Sequence, residues 1–445
     1  MTRLPGRWRS VLPSLGYELP PDLTPDSSSG PITAGIPLEL IRQSISRREY
    51  WEIPEPVLEQ YRRYRPSPLW RARGYEQAIG SRVPIWVKYE GGNISGSHKL
   101  NTALAQAYYY QRAGYSELVT GTGAGQWGTA LAAACAVFGM SCTVFMVGHS
   151  LRSKPYRGSL MRLLGATVHA SPSPLTDLGV LAGSGAADRN SLSLAIGEAV
   201  EHARGGQGRA FCIGSGETYS ILHQSVIGLE AIDQLAEAGA TVDTVVGCVG
   251  AGSNFGGVAL PFFAAGPGAT RLVAAESSAT PKLTRGIYAY DRTDATGTSP
   301  LEAMYTVGSG FAIPPSHSAG LRYHGAAKLL SAMRRRDQIE ALAVGQQQAL
   351  TAGRTFTRTE LVVPAPESGH ALAAAAALAV GDGPLAPSRA GILVCVSGHG
   401  LLDLAAYDRS EAGDTADQAA DEASLRAAVA DLRPVLDLDL LDGAR

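Results

Sequence analysis

Lysine is scarce in this chain, so the places where an amine can do chemistry are few. Lys88, Lys99, Lys154, Lys282 and Lys328 are the only five in 445 residues. Lys99 stands apart because it lies in Gly96-Ser97-His98-Lys99-Leu100-Asn101, which joins the strand-like run RVPIWVKYE to the amphipathic run LNTALAQAYYYQRAG. An ammonium at a helix start meets the positive end of the helix dipole, which disfavours the protonated form and lowers its pKa toward a usable amine. Such an amine can condense with an aldehyde to a Schiff base. Most helix-start lysines are merely solvated, so the segment gains meaning only from what surrounds it.

Three glycine-bearing loops supply that company, each after a strand-like run, where the ligands of parallel α/β sheets collect. Thr122-Gly123-Ala124-Gly125-Gln126 opens a helix, and its free N–H groups suit an anion such as a substrate carboxylate. Gly250-Ala251-Gly252-Ser253-Asn254 also enters a helix; its glycines allow close approach, Ser253 and Asn254 add side-chain donors, and a phosphate fits there. Ser397-Gly398-His399-Gly400 ends an apolar strand and offers a hydroxyl that could meet a ring nitrogen. Glycine turns are common in any α/β protein. The second loop also admits a dinucleotide reading, with Glu276 after RLVAA as the ribose contact, but Phe255 stands where the third glycine should be.

The elements that must carry these loops read as strand and helix in alternation from about Pro66: ELVTGTGAG into QWGTALAAACAVFGM, SCTVFMVG, KPYRGSLMRLLGA, TVHA, then VDTVVGCVGAGSNFGGVAL, RLVAAE and GILVCVSGHG. That order predicts two doubly wound α/β domains with mainly parallel sheets. The first sixty or so residues, rich in Pro, Arg and aromatics, read as a partly helical arm packed on a body. PSPLTDLGVLAGSGAADRN reads as a surface excursion and the acidic, Ala-rich tail after Tyr407 as a helix or frayed end. A net charge of −2 gives no reason to expect nucleic acid or an anionic membrane as partner. Cys135, Cys142, Cys212, Cys248 and Cys395 lack CxxC spacing and read as buried thiols of a reducing compartment. No run has the length of a signal peptide core or a membrane span, so a cytoplasmic protein is expected. His317, His324 and His370 lack partners at metal-ligand spacing, and no transition metal is expected.

Taken together, SPLWRARGYEQAIG, WVKYEGGNISGSHKLNTALAQAYY, TGAGQWGTALAAACAVFG, GCVGAGSNF, LTRGIYAYD, GLRYHG, VVPAPESGHA and SGHG resemble, in order, the motifs of the tryptophan synthase β-subunit family, a fold type II pyridoxal-phosphate group. The N-terminal arm, KPYRGSL and RYHG resemble its stand-alone branch, which is not built to bind a tryptophan synthase α subunit. The resemblance implies an arm over 1–65, an N-terminal domain over 99–222 with a mobile, substrate-closing part at about 114–202, and a C-terminal domain from 66–98 and 223–445. It implies pyridoxal 5′-phosphate on Lys99, which also shuttles the α-proton. His98 and the loop Gly250, Ala251, Gly252, Ser253 and Asn254 would hold the cofactor phosphate, with Asn101 in the same group. Ser397 would meet the pyridine nitrogen and Glu367 would sit near the ring. The loop Thr122, Gly123, Ala124, Gly125 and Gln126, with Gly121 and Trp127 beside it and Gly310 from a later segment, would bind substrate. A monovalent cation and a homodimer follow from the same precedent.

Two departures from the family bear on function. The family carries a glutamate directly before TGAGQ, where this chain has Gly121, and an aspartate in the segment matching Gly308-Ser309-Gly310-Phe311, where Gly310 stands in its place. A positioned carboxylate commonly contributes about a hundredfold or more to a proton transfer. Their loss predicts a wider, less negative pocket and a β-replacement enzyme of specialised metabolism, acting on serine or a related amino acid through an aminoacrylate with a non-standard nucleophile. Two other readings stand beside it: a tryptophan synthase whose missing acid is supplied otherwise, and a cofactor-binding pseudoenzyme or regulatory partner.

Overall fold

A computed structural model describes residues 3–23, 35–183, 191–293, 299–417 and 419–436. The arm comprises β1 (Arg7–Arg9), α1 (Leu38–Ile45), β2 (Tyr50–Glu52) and α2 (Glu55–Tyr61), with β1 and β2 antiparallel. It is stitched to the body by bonds between main chain and side chain, with Arg9 N donating to Ser225 Oγ at 3.0 Å and Tyr61 Oη to the Asn101 carbonyl at 2.7 Å. Next come β3 (Leu69–Arg71), α3 (Arg73–Ile79), β4 (Ile85–Tyr89) and α4 (Lys99–Arg112). The following stretch holds β5 (Glu117–Thr122), α5 (Gln126–Phe138), β6 (Ser141–Val147), α6 (Gly148–Ser153), α7 (Pro155–Leu163), β7 (Thr167–Ser171), α8 (Asp177–Gly183), α9 (Leu192–Arg204) and β8 (Arg209–Phe211). Its strands form one all-parallel sheet in the order β7-β6-β5-β8.

Beyond it lie α10 (Thr218–Glu237), β9 (Thr244–Cys248), α11 (Ser253–Ala265), β10 (Arg271–Ser277), α12 (Lys282–Arg285), β11 (Ile287–Arg292), β12 (Leu301–Thr306), α13 (Lys328–Arg335), β13 (Glu340–Val344), α14 (Gln346–Glu360), α15 (Pro366–Val380), β14 (Ile392–Val396), α16 (Leu404–Glu411), α17 (Glu422–Val429) and β15 (Arg433–Pro434). The large sheet runs β13-β10-β9-β14-β4-β3, parallel except for the edge strand β3. Every residue of the central strands β9 and β14 is buried, which is why TVVGC and ILVCV are continuous apolar runs rather than alternating ones.

The doubly wound expectation is met, with additions that periodicity did not reveal. The excursion after β7 contains α8, and its 184–190 part lies outside the described residues. The hairpin β11–β12 forms a further, antiparallel sheet: β15 pairs with β11, and Leu23 of the arm bridges Leu301 of β12. The tail after Tyr407 therefore does more than fray, although residues 437–445 lie outside the described ones. Among the described residues no helix is long and apolar enough to cross a membrane. All five cysteines are free and buried.

One buried charge cluster fixes α4 against the large sheet. Arg65 lies 2.8 Å from Glu90 and 2.8 Å from Glu230, and Lys88 Nζ lies 2.8 Å from Glu230, with all four side chains at 0–1% exposure. Two cations face two carboxylates, so the cluster is neutral. Asn101, two residues along α4 from Lys99, donates to Glu90 at 3.1 Å and to Gln224 at 3.0 Å and accepts from Arg65 at 3.0 Å. Burial pushes the Glu90 carboxyl up, but the Arg65 guanidinium overrides it and holds the group down at about 2. Removing one partner from such a cluster strands a buried charge and costs about 3–5 kcal/mol. Glu230→Gln is accordingly expected to lower unfolding free energy by about that amount, read from urea denaturation at neutral pH; a loss within experimental error of zero would show that the cluster is dispensable.

Candidate active site

The carboxyl ends of β4, β9 and β14 from the large sheet and of β5 from the small one open toward the same place. The loop after β4 is laced to the loop after β14: His98 N donates to the Ser397 carbonyl and His399 N to the Gly96 carbonyl, both at 2.9 Å, and Ser97 bridges Gly398. Gly96 has φ +70°, and a Cβ there would meet the His399 ring at 2.4 Å, so the close approach needs glycine. The loop after β9 ends at Gly252, the N-cap of α11, with φ +126°. A Cβ on Gly250 would strike the Gly320 carbonyl oxygen at 2.3 Å.

These loops surround a cavity of about 60 Å³ lined by His98, Lys99, Gly250, Ala251, Gly252, Ser253, Asn254, Glu367 and Ser397, together with Arg157. A second cavity of about 90 Å³ shares Lys99, Gln126, Ala251 and Gly320 with it. Its walls are Gly121, Thr122, Gly123, Ala124 and Trp127 on one side and Leu192, Ile196, Phe211 and Ile213 on the other, with Arg322 and Tyr323 beyond. Gly125 sits behind the loop as the N-cap of α5, with φ +96°.

Burial sets the charge states. It pushes the Lys99 amine below its ordinary pKa, against the opposing pull of Glu367 and Cys248. Desolvation is thus the largest cause of the shift that the helix dipole was expected to supply. Burial also takes His98 down to about 3, assisted by Lys99 and opposed by Glu90 and Gln224, so the imidazole is neutral at neutral pH. Ser397 Oγ lies 2.9 Å from Ser368 Oγ and 3.5 Å from Cys248 Sγ, neutral neighbours for whatever it meets. Glu367 uses Oε1 to accept from Gln126 at 2.9 Å and from Gly320 N at 2.8 Å.

Two expected site residues lie elsewhere. Asn101 is spent in the charge cluster and does not line the cavity; its spacing from Lys99 turns it to the opposite side of α4. Gly310 is exposed, lines neither cavity, and a Cβ on it would meet nothing within 4 Å. Asn254 turns its side-chain amide toward the Cys248 carbonyl at 3.4 Å and accepts from Cys395, so it offers the cavity its main chain. Glu276 is buried away from the loops and caps α12 through the Leu283 and Thr284 amides at 2.8 and 2.9 Å, which removes the dinucleotide reading. Gly320 and Arg322 fall within GLRYHG and Arg157 within KPYRGSL, motifs that marked the resemblance without giving these residues a place in the site; the apolar wall carries no local pattern, because distant segments converge.

Position 121 does not widen the pocket as expected. A Cβ there would lie 2.6 Å from the Ala195 carbonyl carbon and oxygen and the Ile196 nitrogen, because the main chain of α9 occupies that space. The glycine has been used to admit a helix.

The cavity chemistry fits a phosphate-bearing aldehyde. Ser97 Oγ, His98 Nδ1 and Glu367 Oε2 are buried without a hydrogen-bond partner, all on residues lining the first cavity. Such groups are normally satisfied, and a bound polar ligand would satisfy them. The first-turn amides of α11 have no intrahelical acceptors and face an anion well.

Comparison with known proteins agrees. A family model described as pyridoxal-phosphate dependent enzyme matches residues 61–398. Solved structures of threonine deaminase isoform 2 from Solanum lycopersicum (TM-score 0.59, 16% identity, 89% of this chain and 91% of that one) and of maize serine racemase (0.55, 18%, 81% and 98%) share the fold. The chain is a pyridoxal-phosphate-dependent enzyme of fold type II. The tryptophan synthase beta chain of Pyrobaculum islandicum is 46% identical over 413 residues, covering 91% of this chain and 96% of that protein. Tryptophan synthase beta chain 2 of Aeropyrum pernix is 44% identical over 418 residues, covering 91% and 92%. The chain belongs to the tryptophan synthase β-chain family.

The contact at position 121 gives a test that needs no substrate. Gly121→Ala forces a methyl group into main-chain atoms, and overpacking of this kind costs about 1–3 kcal/mol. Gly121→Glu, which rebuilds the family's carboxylate, is expected to be worse and not to gain activity. A Gly121→Glu protein as stable as the native one in urea would show that α9 yields.

Proposed function

We propose that the enzyme replaces the β-substituent of serine or a related amino acid with a nucleophile other than indole, making a non-standard amino acid in specialised metabolism. The observation that carries this reading is the α9 main chain at Gly121, which leaves no room for a carboxylate on the wall that the nucleophile would approach. Among the described residues, that cavity is lined by apolar side chains, hydroxyls, an amide, Lys99 and Arg322, with no carboxylate or imidazole. An apolar nucleophile that needs no positioned base suits such walls.

Bound pyridoxal phosphate supplies an electron sink that acidifies the Cα–H of an amino acid and lets a β-substituent depart. The protein does the rest. Lys99 Nζ would hold the cofactor, and its amine is the group placed to take the Cα proton of the substrate and to return it to that carbon. The N-terminus of α5, with the loop Thr122–Gln126, receives the substrate carboxylate. His98, kept neutral, and the loop Gly250–Asn254 hold the phosphate by N–H donors. Ser397 would offer a neutral hydroxyl to the ring nitrogen, an arrangement that would favour β-chemistry over transamination. Glu367 would stand beside the ring, its Oε2 being buried without a hydrogen-bond partner on the cavity wall. Trp127, Leu192, Ile196, Phe211 and Ile213 would enclose the nucleophile. By family precedent the enzyme acts as a cytoplasmic homodimer with a monovalent cation and without a tryptophan synthase α subunit.

A second reading is tryptophan formation from serine and indole, favoured by the names of relatives 41–46% identical to this chain. Feeding purified holoenzyme serine with indole and following product by mass spectrometry separates the two: slow or absent tryptophan is expected, and vigorous formation would overturn the first reading. Borohydride reduction followed by peptide mapping should place the cofactor on Lys99. Lys99→Ala should retain the fold but lose at least about a hundredfold in turnover; a tag on another lysine sinks both readings.

A further inference from the structure

Arg157 lies between the two loops that the reaction has to hold in register. On one side its stem supports the substrate loop: a Cβ on Gly125 would come within 3.1 Å of both Cβ and Cδ of Arg157. On the other side its Nη2 donates to Asp403 Oδ2 at 2.6 Å, and Lys154 Nζ reaches the other carboxylate oxygen at 2.5 Å. Asp403 is the N-cap of α16, and its N–H donates to the Gly400 carbonyl at 2.8 Å, so the carboxylate is fixed to the loop that carries Ser397. The Asp403 side chain is fully covered and that of Arg157 is 3% exposed. Burial alone would raise the carboxyl pKa, but Arg157 and then Lys154 pull it below its ordinary value.

Two further facts make this more than a packing contact. Arg157 lines the cofactor cavity, and its Nε is buried with no hydrogen-bond partner. An unsatisfied buried N–H on a cavity wall is costly unless something arrives to accept from it. Two cations against one carboxylate also leave one positive charge beside the place where the substrate carboxylate is received. The planar guanidinium can brace Asp403 with one edge and present Nε–H from another, which an ammonium cannot do.

We propose that Arg157 is a positioning residue for this reaction: held by Asp403, it sets the substrate loop at Gly125 against the ring-nitrogen loop at Ser397 and offers Nε–H to an oxyanion of the incoming amino acid. The inference rests on the β-replacement reading for its substrate, but the bracing of the two loops does not. Displacing reacting groups by about 1 Å can cost on the order of a hundredfold, so a residue that touches both loops has leverage on rate without touching the bond that breaks.

Two near-isosteric variants test it, Arg157→Lys and Asp403→Asn. With holoenzyme and L-serine in D2O, NMR follows exchange of the Cα proton, which reads the Lys99 step without a nucleophile. Each variant is expected to raise half-saturating serine by about tenfold or more and to slow exchange, while the cofactor absorbance stays near native; Arg157→Lys, which keeps the charge pair, should leave the urea midpoint near native, whereas Asp403→Asn strands a buried guanidinium and should lower it. In the cofactor-free proteins, amide hydrogen exchange should rise in the peptides carrying Thr122–Gln126 and Ser397–Gly400. Native serine saturation and native amide protection in both variants would overturn the proposal, as would loss of fold or of cofactor binding in both, which marks a structural role only. If native enzyme never exchanges the serine proton, the function reading fails, and the amide exchange of the two loops still decides the bracing.

Discussion

Lys99 can be held where it is because a neutral knot of four buried charges sits under its helix. Arg65 comes from the arm's end, Lys88 from within β4, Glu90 from the residue directly after it and Glu230 from the long helix α10, so the knot joins elements far apart in sequence. Desolvating four ions is expensive, and only close pairing with satisfied hydrogen bonds offsets it. Asn101 inserts one amide among them and thereby ties the first turn of α4, with Lys99 at its start, to the large sheet. Apolar packing would have filled the same space. It would not have specified the rotation of α4 about its axis, which is what aims Lys99 into the cavity.

From that anchor the site is built by subtraction of charge. Lys99 and His98 are both shifted toward their neutral forms by burial, and Ser397 is surrounded by hydroxyl and thiol. Glu367 is the carboxylate of the cofactor cavity, and two N–H donors occupy one of its oxygens. Besides Glu367 and Arg157, which Asp403 pairs, the first cavity meets a ligand with N–H donors and hydroxyls rather than with charge. The protein's part is then geometric, a matter of loops held at set distances.

Much of this was legible in the sequence, for identifiable reasons. Continuous apolar runs such as ILVCV, followed at once by glycine, marked strands buried on both faces and the loops at their ends. Lysine scarcity made Lys99 conspicuous. What stayed hidden depends on which face a residue turns. Asn101 shares a motif with Lys99, yet 3.6 residues per turn carry it away from the cavity. Gly310 falls on an exposed turn. Gly121 read as vacant space because a sequence shows the missing side chain and not the helix that takes its place. Arg157, Gly320 and the wall of Leu192, Ile196, Phe211 and Ile213 come from separate segments and converge only in three dimensions.

The small antiparallel sheet has an architectural corollary. Its hairpin is flanked on one edge by residue Leu23 from the start of the chain and on the other by Arg433–Pro434 from near its end. Both extremities thus serve as covers for the same pair of strands. Removing either one would bare the main-chain donors and acceptors it pairs, an edge to which another strand could add itself.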